Sequence, residues 1–285
     1  MGFPNAVRRT PAVLTLLLAV VLTMAAACGG SPSQPSETSG PRETTVEYAS
    51  GLTADDHLPA GADHAPLVVL VPGGAWQTAE PTGLGGLAEH LARAGIAAAT
   101  VHIRAAVDGV GYPEPVEDVL CAVAAAAEEA RSKGVVPDPI AVFGHSSGAH
   151  LAALAVLAAG DYAPSCGSAV VTPDALIGVS GPYDISRLPL VARALMRESP
   201  DDDPAAWASA NPVERANLRP DVPVLLLHGA TDRLVPVSFT TQFAAALEHA
   251  GHPTTVQVVP GADHLSIIRA DVVGDRIAAW VQSLR

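Results

Sequence analysis

Six short runs of apolar or β-branched residues punctuate the chain, at residues 67–71, 96–101, 140–143, 176–180, 222–227 and 255–259. They are unbroken rather than alternating, so they read as strands covered on both faces. Ala-rich stretches of helical character lie between and after them, at residues 84–94, 115–133, 147–159, 238–250 and 267–284. Gly95, Gly134, Gly160 and Gly251 stand where the first four of those helices should stop, because glycine takes the left-handed turn that ends a helix at no steric cost. Strand–helix alternation of this length predicts an α/β fold, a mostly parallel central sheet flanked by helices. Residues 44–49 add a candidate antiparallel edge strand. Residues 185–211, rich in Pro and Asp, break the pattern and read as a small cap inserted above the sheet.

The first 27 residues follow another pattern. They hold Arg8 and Arg9 and no acid, followed by an uncharged apolar stretch at residues 12–27. As a helix that stretch would rise about 24 Å, short of the roughly 30 Å core of a bilayer, so residues 1–27 read as a signal peptide rather than a spanning helix. Ala25, Ala26 and Ala27 lead into Cys28, which resembles a bacterial lipoprotein signal whose cleavage leaves Cys28 as the lipidated first residue. That pattern usually has Leu three positions before the cysteine, where Ala25 stands here. Attachment to the extracytoplasmic face of the membrane through lipid on Cys28 is the expected location, with plain secretion as the alternative. Residues 28–43, dominated by Ser, Pro and Gly, are expected to form a disordered tether, because they offer too little apolar surface to offset ordering. The folded domain is then expected over residues 44–285.

Of the 285 residues, 49% are hydrophobic and 16% charged, which excludes a chain that is disordered throughout. The net charge is −13 and Lys133 is the single lysine, so nucleic acid, which demands clustered cations, is not an expected partner. Attraction to anionic lipid headgroups is equally disfavoured, leaving the acyl chains on Cys28 to carry any membrane contact. Cys28, Cys121 and Cys166 show no ligand spacing, and the ten histidines add none, so no metal is expected. An export route permits a disulfide between Cys121 and Cys166. Their positions near the start of one predicted helix and past the end of the next leave two separate thiols equally open.

The strongest chemical signal is Gly144-His145-Ser146-Ser147-Gly148, directly after one predicted strand and directly before a predicted helix. Small residues on both sides of Ser146 allow the sharp strand-to-helix turn that lifts a nucleophilic hydroxyl above the sheet. A serine nucleophile needs a base, and the base an orienting acid. Asp232 follows the strand at residues 222–227 and His264 follows the strand at 255–259, so all three groups should emerge at the same sheet edge in the order Ser, Asp, His. Asp263 is a tempting alternative acid, but it adjoins His264 in sequence and is expected to face solvent or cap the last helix. The oxyanion formed by attack needs backbone donors: one is the N–H of Ser147, and another should come from the loop Pro72-Gly73-Gly74-Ala75-Trp76. Trp76 is expected to pack under that loop or wall the substrate pocket, with His145 beside it. His145, His150 and His228 are otherwise read as packing or hydrogen-bonding residues.

Those stretches, together with VHIRAA, YPEPVEDVLCAV, GVSGPYDIS and LLLHGATDRLVP, resemble the α/β-hydrolases, specifically the esterase/lipase branch of feruloyl-esterase-like and kynurenine-formamidase-like carboxylesterases. The resemblance implies a triad of Ser146, Asp232 and His264, an oxyanion hole of the Gly74, Ala75 and Ser147 amides, and no cofactor. Two positions depart from the family pattern: Pro72 replaces a His before the glycine pair, and Ile103 replaces a Tyr before Arg104. The expected reaction is cleavage of a small-molecule or glycan-linked carboxylic ester through an acyl-enzyme on Ser146. An arylformamidase-like amidase or peptidase using the same triad is the nearest alternative. A lipoprotein that binds envelope components without catalysis is the alternative from another class.

Overall fold

The computed structural model describes residues 40–284, so the expectations for the signal peptide and Cys28 lie outside the described residues, as does most of the tether. Eight strands form one sheet: β1 (Arg42–Ala49), β2 (Leu52–Leu58), β3 (His64–Val71), β4 (Ala97–Val101), β5 (Val136–His145), β6 (Ala175–Val179), β7 (Val224–Gly229) and β8 (Thr254–Val259). Their order is β1-β2-β4-β3-β5-β6-β7-β8. β1 pairs antiparallel with β2, and β2 pairs antiparallel with β4. Every other pairing is parallel. The helices are α1 (Gly85–Arg93), α2 (Glu114–Ser132), α3 (Ser147–Leu157), α4 (Pro189–Met196), α5 (Pro204–Ser209), α6 (Ser238–Ala250) and α7 (Asp275–Gln282).

The unbroken apolar runs are explained by two cores, one on each face. In β3, Leu67, Val69 and Val71 point into the core under α2, α3 and α6, whereas Val68 and Leu70 point into the core under α1 and α7. β7 divides the same way, with Val224 and Leu226 on one side and Leu225 and Leu227 on the other. A strand whose successive side chains are all buried cannot show a polar alternation.

The structure departs from the sequence reading in four places. β1 starts at Arg42, inside the stretch expected as tether. β2 had no sequence signal, because Asp55, Asp56 and His57 disguise a strand that is paired on both sides. The predicted last helix begins late: residues 266–274 form a 3₁₀ turn and a π turn, and α7 starts only at Asp275. The cap at 185–211 contains two short helices, α4 and α5. Cys121 near the start of α2 and Cys166 beyond α3 are joined by a disulfide, their Cα atoms 5.8 Å apart, so the two separate thiols left open by the sequence are not what the structure contains.

Candidate active site

The predicted triad, oxyanion-hole and pocket residues sit at the carboxyl edge of the parallel strands, where open α/β sheets place ligands. The turn after β5 is shaped by what lies behind it. A Cβ on Gly144 would fall 2.2 Å from the Gly148 carbonyl oxygen, and one on Gly148 would fall 2.3 Å from that of Pro72. Only glycine fits at either position, which brings the elbow, the first turn of α3 and the loop after β3 into contact. Ser146 between them has φ 54°, the left-handed region that a non-glycine residue enters at a cost. Its amide is pinned by the Val179 carbonyl at 2.9 Å, so the turn is held from β6.

Ser146 Oγ lies 2.9 Å from His264 Nε2, and His264 Nδ1 lies 2.7 Å from Asp232 Oδ2. Asp232 Oδ1 accepts the Leu234 and Val235 amides at 2.9 and 3.0 Å. Burial opposes ionisation of this carboxyl, but the Val235 amide, His264 and the Leu234 amide together outweigh it and hold its pKa below the ordinary range. The Asp232 and His264 loops are laced together: Thr231 donates from both its amide and its hydroxyl to the Ala262 carbonyl. Asp263, the neighbour set aside on sequence grounds, is exposed and accepts the Leu265 and Ser266 amides, capping the turn that follows.

Three buried histidines brace this arrangement through contacts with no sequence signature. His145 Nε2–H donates to the backbone carbonyl of His264 at 2.8 Å, tying the elbow to the loop that carries the base. Burial first, then the nearby His264 ring, pull the pKa of His145 down to about 4, so it is neutral in this role. His228 Nε2–H donates to the Val235 carbonyl at 2.9 Å and lies 3.5 Å from Asp232 Oδ2. His150, in the first turn of α3, accepts from Trp76 Nε1 at 3.3 Å and donates from Nε2 to the Ala210 carbonyl at 2.7 Å. Burial lowers the His150 pKa to about 4, consistent with a neutral ring that both accepts and donates.

The loop after β3 approaches Ser146 closely: a Cβ on Gly73 would come within 3.0 Å of Ser146 Cβ and 3.1 Å of His145 Nδ1. Gly74 takes φ 146°, and a Cβ there would fall 2.1 Å from the Thr78 carbonyl oxygen, so the glycine pair of the sequence is required by space as well as by conformation. Ala75 and Trp76 both take left-handed φ values. On the other side, the Ser147 amide is among the first-turn donors of α3 that have no intrahelical acceptor, at the positive end of the helix. Together these groups line a cavity of about 590 Å³ that contains Ser146 and His264 and includes Gly74, Ala75, Trp76, His145 and Ser147 in its wall. Its apolar wall includes Leu188 and Val191 of the cap, together with residues the sequence did not assign to the site: Pro182 after β6, Leu234, and Leu265 with Ile268.

The BD-FAE family model matches residues 55–247, which includes the elbow and Asp232. The chain belongs to the BD-FAE family. The family match stops short of His264, whose place in the site rests on the geometry above. The chain is 30% identical to the esterase LipQ of Mycobacterium tuberculosis over 76% of its own length and 54% of that protein's. It is 29% identical to the probable carboxylic ester hydrolase LipM of the same organism, over 70% of its length and 49% of LipM. It thus spans about half the length of these curated relatives. Among solved structures, the acetyl ester-xyloside bifunctional hydrolase of Caldicellulosiruptor lactoaceticus superposes with a TM-score of 0.72 at 19% identity, covering 86% of this chain and 97% of that one. The native Est2 esterase of Thermogutta terrifontis gives 0.68 at 23%, covering 88% and 92%. At these identities the superpositions speak for the α/β-hydrolase fold.

Proposed function

We propose that this BD-FAE member is a serine hydrolase that cleaves carboxylic esters, small or glycan-linked, through an acyl-enzyme on Ser146. The observation that carries the reading is the continuous relay from Asp232 Oδ2 through His264 to Ser146 Oγ, with links of 2.7 and 2.9 Å. Separation of Ser146 from His264 would have favoured binding without catalysis, and they are in hydrogen-bonding contact. In this scheme His264 Nε2 takes the Ser146 proton as Oγ bonds to the acyl carbon, while Asp232 holds the proton on Nδ1 and stabilises the imidazolium. The Gly74, Ala75 and Ser147 amides receive the oxyanion. His264 then protonates the leaving alcohol, and a water activated by the same nitrogen releases the acid and restores Ser146. Kinship with LipQ and LipM, both described as ester hydrolases, supports esters over amides. Cys28 is proposed as the lipid anchor of an exported chain.

Labelling with a fluorophosphonate and peptide mapping should place the adduct on Ser146, and short acyl esters should turn over faster than matched formyl amides. Turnover of amides with inert esters would overturn the esterase reading. Metabolic labelling with an alkynyl fatty acid should mark the full chain and not Cys28→Ala.

A further inference from the structure

The cavity wall carries a charge asymmetry that bears on what enters it. Among the described residues no lysine or arginine lines it, and apart from His145 and His264 its one ionisable side chain is Glu80, on the loop between β3 and α1. Two arginines of the surrounding elements are engaged elsewhere. Arg104 is held by the buried Asp118 carboxylate at 2.6 and 2.9 Å, and Arg187 donates to Gln242 and Ser238 while stacking on Phe239. Glu80 is flanked by His102, whose Nε2 lies 3.5 Å from Oε1, and two further wall residues of the same loop, Thr78 and Thr82, are polar but uncharged. The remainder is largely aliphatic: Leu84, Leu188, Val191, Leu234, Leu265 and Ile268.

An anionic ester entering this cavity would surrender hydration against aliphatic side chains and meet a carboxylate with no cation to compensate. A cationic group near Glu80 gains the attraction instead, and a neutral apolar ester is indifferent to it. We infer that Glu80 is a charge-selecting residue of the substrate pocket, which takes esters whose acyl group is uncharged and whose alcohol portion is neutral or cationic, and rejects those bearing a carboxylate. The inference rests on the esterase reading above.

The test uses the isosteric pair butyrylcholine and 3,3-dimethylbutyl butyrate, which differ by a quaternary nitrogen in place of a carbon, together with a monosuccinate ester as the anionic member. At pH 8, where free imidazole is neutral, and at low ionic strength, kcat/KM for the cationic ester should exceed that of its neutral isostere by about four-fold. That is the factor for opposite charges about 5 Å apart in a solvent-like dielectric. The ratio should fall toward one in 0.5 M NaCl and in Glu80→Gln, and invert in Glu80→Lys, which should also raise turnover of the succinate ester. Turnover of both isosteres at equal rates, or a preference unmoved by Glu80→Gln, would overturn the charge-selecting role and leave the esterase reading intact. If neither ester is hydrolysed and Ser146 resists the fluorophosphonate, both fall.

Discussion

Replacing Asp232 by Asn isolates the orienting acid, because the surroundings dictate how the amide must sit. Oδ1 of Asp232 faces two amide donors, from Leu234 and Val235, and can be replaced there only by the carbonyl oxygen of Asn. The opposite orientation would set an NH₂ against two N–H groups in a site where the side chain is buried. The NH₂ is therefore forced toward His264 Nδ1, now 2.7 Å from Asp232 Oδ2. An N–H donor at that distance demands a lone pair on Nδ1, which moves the imidazole proton to Nε2, where it points at Ser146 Oγ. The base is then in the wrong tautomer to accept the serine proton. A wrong-tautomer triad loses about 10⁴ in kcat, roughly 5 kcal/mol of transition-state stabilisation. The assay is kcat on a short-chain p-nitrophenyl ester beside a thermal melt, with Asp263→Asn as the control. Asp263 is exposed and caps a surface turn, so its variant should stay within about two-fold of the parent. A loss of less than ten-fold for Asp232→Asn with an unchanged Tm would refute the tautomer argument, and a larger loss for Asp263→Asn would reassign the acid.

Other expectations test the scaffold. Gly148→Ala drives a Cβ to 2.3 Å from the Pro72 carbonyl and should lower Tm sharply and impair activity, whereas Gly86→Ala, in α1 with nothing within 4 Å, should raise Tm by about 1–4 °C. Arg104→Ala strands the fully buried Asp118 carboxylate and should cost about 3–5 kcal/mol in urea unfolding; a cost below 1 kcal/mol would mean that the pair is replaceable by solvent. Asp56 in β2 is buried with one carboxyl oxygen unpartnered among the described residues. Burial first, then Glu129 and Asp55, raise its pKa to about 7 against the opposing Lys133. The folded state therefore keeps a proton that the unfolded chain releases near pH 4, and stability declines as pH rises from about 4 to 7. Asp56→Asn should raise Tm at pH 8 more than at pH 4.5, and equal shifts at both would sink that account.

The legible parts of the molecule were those encoded by composition along a short stretch. The core strands were visible because both faces of β3, β5 and β7 are buried, and the elbow was visible because its glycines are enforced by contacts at 2.2 and 2.3 Å. Asp232 and His264 could be placed because each directly follows a strand. β2 was not legible, since its polar residues are accommodated by pairing on both sides and by burial of Asp56, whose pKa is raised to about 7. Nor were the bracing roles of His145, His150 and His228. Their partners include the main-chain carbonyls of His264, Ala210 and Val235, which any residue type would present, so no pattern of side chains betrays them.

That last property bears on how the cap can change. His150 joins Trp76 of the loop after β3 to the Ala210 carbonyl, at the end of the cap insertion. The seam between cap and catalytic scaffold thus asks the cap for a peptide oxygen at one point along its path and for no particular side chain there. The polarity of the cap can therefore vary at that point without loosening the brace on Trp76, while the cap's own hold on the scaffold runs through other side chains, among them Arg187, bonded to α6, and the buried Leu195.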